Sequence, residues 1–145
     1  MNALSTARIA IVSLTAALAL PAQAFDGYGE WRGKVQYLVS KYGEPAPVVQ
    51  EIVPLVLRVD PDGKVVGAST ENGCRLLGMV SPAGKNVMRL DATLHDCESK
   101  DLNRRISGTV AHYPADHRLA LNVSNLDSSA KPFTRYEMTA PMMRR

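Results

Sequence analysis

The chain has 145 residues, with 17 Lys and Arg against 14 Asp and Glu and a formal net charge of +3 at pH 7. The charges are interspersed and few aromatics alternate with the basic residues, so nothing beyond mild basicity points to nucleic acid. Past the first residues no stretch approaches the ~20 consecutive apolar residues of a spanning helix, so no membrane span is expected.

Met1 to Ala24 reads as a cleaved secretory signal peptide. Arg8 and the amino terminus supply the positive region, and Ile9 to Leu20 is an apolar run too short to cross a bilayer. Pro21 breaks that run, and Ala22-Gln23-Ala24 has the small-x-small pattern of a cleavage site. Residues 25–145 then form one domain, periplasmic or secreted, in an oxidising compartment. The first cysteine is Cys74, so no lipid-anchored form is expected. A domain of this size buries roughly two-thirds of its unfolded surface, enough for one core.

After a glycine-containing lead-in, Trp31, Gly33, Val35, Tyr37 and Val39 alternate with Arg32, Lys34, Gln36 and Ser40. Period-two alternation marks a half-buried strand. Tyr42 to Pro47 carries Gly43, Pro45 and Pro47 and reads as a loop. A second strand follows over Val48 to Asp60, with a short helix over Pro47 to Ile52 as the alternative for its start. Pro54 has no N–H to give a ladder and marks an edge or a bulge.

Asp60-Pro61-Asp62-Gly63 is a turn, Lys64 to Thr70 a short strand, and Asn72-Gly73 a hairpin signal. Strands are then expected over Cys74 to Ser81, Asn86 to Asp96, Asn103 to His112, His117 to Ser124 and Phe133 to Thr139. Turns over Pro82 to Gly84, Tyr113 to Asp116 and Leu126 to Ser129 separate most of them, and Glu98 to Leu102 suits one helical turn. No long amphipathic helix competes.

About eight strands at this spacing indicate an all-β fold. Gly33, Gly78 and Gly108 each stand two residues before a valine inside a strand. Strand glycines favour a sharply coiled sheet over a flat one. The expectation is a small antiparallel up-and-down barrel or meander, with a β-sandwich as second choice. One apolar phase and one charged phase argue against an outer-membrane barrel, whose outward phase is apolar.

Cys74 and Cys97 are the only cysteines, and in an exported chain they make one disulfide. A meander brings the start of one strand beside the end of the next. One detail conflicts: Cys74 shares the inward phase of Leu76 and Val80, whereas Cys97 falls in the polar phase of its strand. A bulge near Asp96, or a bond just past the strand end, reconciles them.

His112 and His117 flank a turn in matching phases, and with His95 they are the candidate zinc or copper ligands. No spacing enforces a third ligand, and the competing reading is ordinary half-buried histidines. Tyr113, Tyr136 and Arg135 are the candidate partner contacts, since aromatics and arginine are enriched at interface hot spots. Met138, Met142 and Met143, beside Arg144-Arg145, read as a fraying end. The acidic run of Asp96, Glu98 and Asp101 reads as a solvated loop.

No nucleophile elbow, phosphate loop, zinc-protease helix or calcium loop is present. No catalytic residue is assigned and no cofactor is called for. The plan of leader, small barrel and one disulfide resembles several groups of small bacterial periplasmic proteins, among them lysozyme inhibitors and immunity proteins that block secreted toxins. That likeness is one of architecture and rests on no diagnostic residue. It implies an exported, non-enzymatic binding protein that engages another exported protein through an edge, loops or the barrel rim. The alternatives are a carrier of a small apolar ligand inside the barrel, which an eight-stranded barrel can hold, and a histidine-dependent metal-binding protein. The oligomeric state is left open.

Overall fold

The structure, a computed structural model, describes residues 25–145. The leader expected over residues 1–24 lies outside the described residues. Eight strands follow in chain order: β1 (Gly29–Lys41), β2 (Val49–Val59), β3 (Lys64–Ala68), β4 (Arg75–Gly84), β5 (Val87–His95), β6 (Arg104–Tyr113), β7 (Arg118–Asp127) and β8 (Thr134–Arg144). Each pairs antiparallel with the next, and β8 returns to β1, so the sheet closes into an up-and-down barrel. Closure leaves the sandwich alternative without a second sheet. The helical pieces among the described residues are two single 3-10 turns, Lys100–Leu102 and Pro114–Asp116.

The alternation read from the sequence becomes inside and outside. Trp31, Val35, Tyr37 and Val39 of β1 are buried while Arg32 and Lys34 are exposed. Val49, Val53, Leu55, Leu57 and Val59 do the same in β2. A void large enough for water would leave accessible surface on the side chains around it. Trp31, Leu57, Leu90, Val110, Leu119 and Met142 are each 0 % exposed. On the outside, Arg58–Asp60 and Arg89–Asp91 pair two residues apart along one face, at 3.1 and 3.3 Å. Such exposed pairs contribute on the order of 0–1 kcal/mol each.

Several expectations are corrected. Residues 49–52 are strand, not helix, because Val49 pairs with Val39 and both turn inward. Toward β3, β2 is paired only over Val56–Val59, so Pro54 lies where β2 has an open edge. The β4–β5 reversal is not at Pro82 to Gly84. β4 runs on through a bulge between Pro82 and Gly84, and the chain turns next to Asn86, whose φ is 56°. β7 and β8 outrun their expected ends, and the C-terminal methionines are not frayed. Met138 and Met142 are 2 % and 0 % exposed, and only Met143 points out. The Arg144 guanidinium donates to the Tyr28 carbonyl at 2.6 Å. The β1–β8 ladder lapses between Gly33–Met142 and Gln36–Thr139, where Pro141 brings no N–H.

The inward glycines mark close approach, not open space. A Cβ on Gly108 would stand 2.1 Å from the Asn122 carbonyl oxygen, on Gly33 2.2 Å from that of Pro141, and on Gly78 2.5 Å from that of Asp91. Each glycine lets the neighbouring strand fold in over it, which is how a short sheet coils tightly enough to close.

Cys74 and Cys97 form the disulfide, S–S 2.05 Å. β5 ends at His95, and Asp96 takes a left-handed φ of 59°. That one residue swings Cys97 out of the polar phase and into the barrel end, where it is buried. Asn72 and Asn103 accept the Cys74 and Cys97 backbone N–H groups at 3.2 and 2.9 Å. Tyr37 closes the same end from inside, its hydroxyl 3.0 Å from that of Ser69.

Candidate functional site

The barrel has two mouths. The upper mouth carries the β1–β2, β3–β4, β5–β6 and β7–β8 connections; the lower carries the β2–β3, β4–β5 and β6–β7 turns together with Phe25–Tyr28 and the β8 end.

The three histidines do not converge. His95 is at the upper end of β5, half exposed, its Nδ1 3.0 Å from Asp96 Oδ2. His112 is at the lower end of β6 and is buried. Its ladder partner is Leu119, so His117 stands beyond the paired region, exposed, at φ 49°. The left-handed turn that lets the chain reverse there also carries His117 out of the phase of Leu119 and Leu121. Among the described residues no three His, Cys, Asp or Glu side chains gather as a metal site.

His112 has a different neighbourhood. Its Nδ1 hydrogen-bonds to Asp26 Oδ1, and its ring meets Trp31 edge-on at 5.4 Å and Phe25 at 6.1 Å. Trp31 Nε1 donates to the Gly27 carbonyl at 2.8 Å. With the Arg144–Tyr28 bond, these contacts tie residues 25–28 to β1, β6 and β8 as a strap across the lower mouth. No nucleophile accompanies the Asp26–His112 pair in these contacts, and its evident task is to hold the strap.

The expected partner contacts also separate. Tyr113, 42 % exposed, is at the lower mouth with the Arg118 guanidinium 4.6 Å from its ring centre. Arg135 is at the upper mouth, paired with Glu137 at 3.1 Å. Tyr136 is corrected: it shares the inward phase of Met138, is 8 % exposed, and has the Arg104 guanidinium carbon 3.2 Å above its ring. Its ring is buried, with Arg104 over one face, and only the part that lines a rim cleft with Arg104 and Arg105 is left to a partner.

Around Arg135 the upper rim gathers what the sequence kept apart. Barrel closure puts the β1–β2 and β7–β8 connections side by side, joined by the Tyr42 N–H to Phe133 carbonyl bond at 2.9 Å. Tyr42, Leu126 and Phe133 are 80 %, 67 % and 51 % exposed, and with Ser40, Lys41 and Arg135 they line a cleft of about 350 Å3. A second cleft of about 310 Å3 adjoins it across Leu126, lined by Arg104, Arg105, Asn125, Asp127 and Tyr136. Asp127 is held below the usual carboxylate range, chiefly by the Ser129 hydroxyl at 2.6 Å and further by the Ala130 and Ser129 N–H groups and the Arg104 charge. Its Oδ1 is thus committed to the loop that presents Phe133.

Sequence reading passed over Tyr42 and Leu126 because both stand in turn-forming stretches. The usable signal was their type: a large apolar side chain in a loop is covered by nothing local.

Two other surfaces carry fewer large exposed side chains in one hollow. A concavity of about 440 Å3 on the β3–β4 hairpin is lined largely by small residues, among them Gly67, Ala68, Ser69, Thr70 and Gly73. Ile52, Leu77 and Met79 are exposed along the outer faces of β2 and β4, spread over the convex wall. No described helix is long and apolar enough to cross a membrane. Comparison of the chain with protein-family models, with curated proteins and with solved structures finds no match.

Proposed function

We propose that this is an exported, non-enzymatic binding protein that holds another exported protein on its upper rim, in the manner of an inhibitor or immunity protein. The observation that carries the reading is the clustering of Tyr42, Leu126 and Phe133, all more than half exposed, in one cleft beside Arg135. Side chains of this kind left in water are stabilised by a partner that covers them, and aromatic and arginine anchors supply most of the energy of such interfaces. The barrel supports the role by rigidity: both loops spring from paired strands, so little order has to be gained on binding.

The carrier alternative finds less support, since Trp31, Leu57, Leu90, Val110, Leu119 and Met142 in the core have no accessible surface and the inward glycines abut neighbouring backbone. The metal alternative loses its ligand set with the separation of His95 from His112 and His117.

The test compares two baits on envelope extract, the exported chain and its Tyr42→Ala/Phe133→Ala variant. A stoichiometric partner retained by the first and lost by the second is expected. Equal recovery on both baits, or no partner on either, overturns the reading.

A further inference from the structure

The two adjoining clefts on the upper rim differ in chemistry. The first is floored and walled by Tyr42, Leu126 and Phe133. The second has Arg104 and Arg105 on one side, with the Arg104 guanidinium over the Tyr136 ring. Leu126 belongs to both.

The charges around them are unbalanced. Lys41, Arg104, Arg105, Lys131 and Arg135 stand against Glu44, Asp127 and Glu137. Glu137 is paired with Arg135, and Asp127 Oδ1 is bonded to its own loop. Among the described residues Lys41, Arg104, Arg105 and Lys131 make no ion pair, and the buried Nε of Arg104 has no hydrogen-bond partner. Of the other acidic residues on the connections of this mouth, Glu71 lies on the β3–β4 connection and Asp96, Glu98 and Asp101 on the β5–β6 connection. A second copy of the chain would bring the same uncompensated cations against each other. A neutral partner would leave them desolvated and unpaired, which is costly.

Resting on the protein-binding reading above, we propose that the partner presents an acidic segment with two features. A large apolar side chain enters between Tyr42, Leu126 and Phe133, and an Asp or Glu close by along the same segment meets Arg104 and Arg105 across Leu126. Arg104 is preorganised for this. Its guanidinium carbon sits 3.2 Å from the centre of the Tyr136 ring, a contact that restrains the group, and a guanidinium suits the two oxygens of a carboxylate.

The test uses a random dodecapeptide library displayed on phage, panned against the purified exported chain. The enriched peptides are expected to carry a large apolar residue within a few positions of Asp or Glu. A synthetic copy of an enriched peptide should bind Arg105→Glu about tenfold more weakly than the unaltered chain and weaken as salt rises. Tyr42→Ala/Phe133→Ala should abolish its binding. Arg105 is exposed, so its variant should keep the thermal unfolding midpoint of the parent, a check that reports folding separately. Neutral or basic peptides that are lost with Tyr42→Ala/Phe133→Ala but indifferent to Arg105→Glu overturn the acidic partner and leave the rim reading standing. Peptides indifferent to both variants, or no enrichment at all, overturn this proposal; indifference to both counts against the rim reading as well.

Discussion

Gly108 carries no side chain because the neighbouring strand occupies the place of one. An added Cβ would meet the Asn122 carbonyl oxygen and the Val123 Cα at 2.1 and 2.8 Å, both backbone and neither able to rotate away. Gly108→Ala should therefore destabilise the barrel by about 2–3 kcal/mol. Gly84→Ala, with nothing within 4 Å, should stay within about 0.5 kcal/mol of the parent. Urea melts of the two variants measure the contrast, and equal midpoints would show that the strand approach is softer than the geometry implies. Tyr37 makes a second residue-scale case. Burial raises its phenol above the ordinary 10.0, against the opposing effect of the Ser69 hydrogen bond. The folded chain therefore keeps a proton that the unfolded chain gives up first. Its contribution is complete below that ordinary value and declines as pH climbs toward the folded one. Stability measured from pH 9 to 11 should fall less steeply in Tyr37→Phe than in the parent; identical slopes would remove Tyr37 from the account.

At the scale of the element, the β4–β5 pair and its disulfide form one unit. The bond spans 23 positions and cross-links two strands already neighbours in the sheet. On the chain-entropy model its loss costs roughly 3 kcal/mol, which for a domain of this size lowers Tm by about 10 °C. Melts with and without reductant, read beside a Cys74→Ala/Cys97→Ala variant, check both figures; a drop under 2 °C would mean the ladder alone holds these strands. The N-terminal strap is a second element, held by side chains from three strands. Trp31→Phe keeps the buried ring and deletes the bond to the Gly27 carbonyl. Amide exchange at Gly27 and Tyr28 should quicken in that variant while exchange in β4 and β5 stays unchanged. Uniform quickening would instead mean that the strap is inseparable from the barrel.

For the whole molecule, a closed sheet with a packed interior predicts what the barrel holds. Native mass spectrometry of freshly purified protein should show the bare chain, beginning at Phe25 if a leader is cut where the sequence indicates. A lipid-sized adduct would restore the carrier reading. The upper rim is the counterpart of that packed interior: three of the most exposed large apolar side chains, Tyr42, Leu126 and Phe133, share one cleft where two hairpins meet, at the closing seam between β1 and β8.

The sequence by itself determined the strand count, the inward and outward phases, and the cysteine pairing. Each depends on contacts that recur every second residue or across a single turn, and a local pattern records such contacts. It also signalled through its strand glycines that the sheet would coil. Only the tertiary structure decided which loops would lie together. Closure of β8 on β1 set Tyr42 beside Phe133 across a separation that no pattern encodes, and buried Tyr136 beneath Arg104. The register of β5 and β6 put His95 at one mouth and His112 at the other. Antiparallel connections alternate between the two ends, so proximity along the chain says nothing about which end a residue reaches until the register is known.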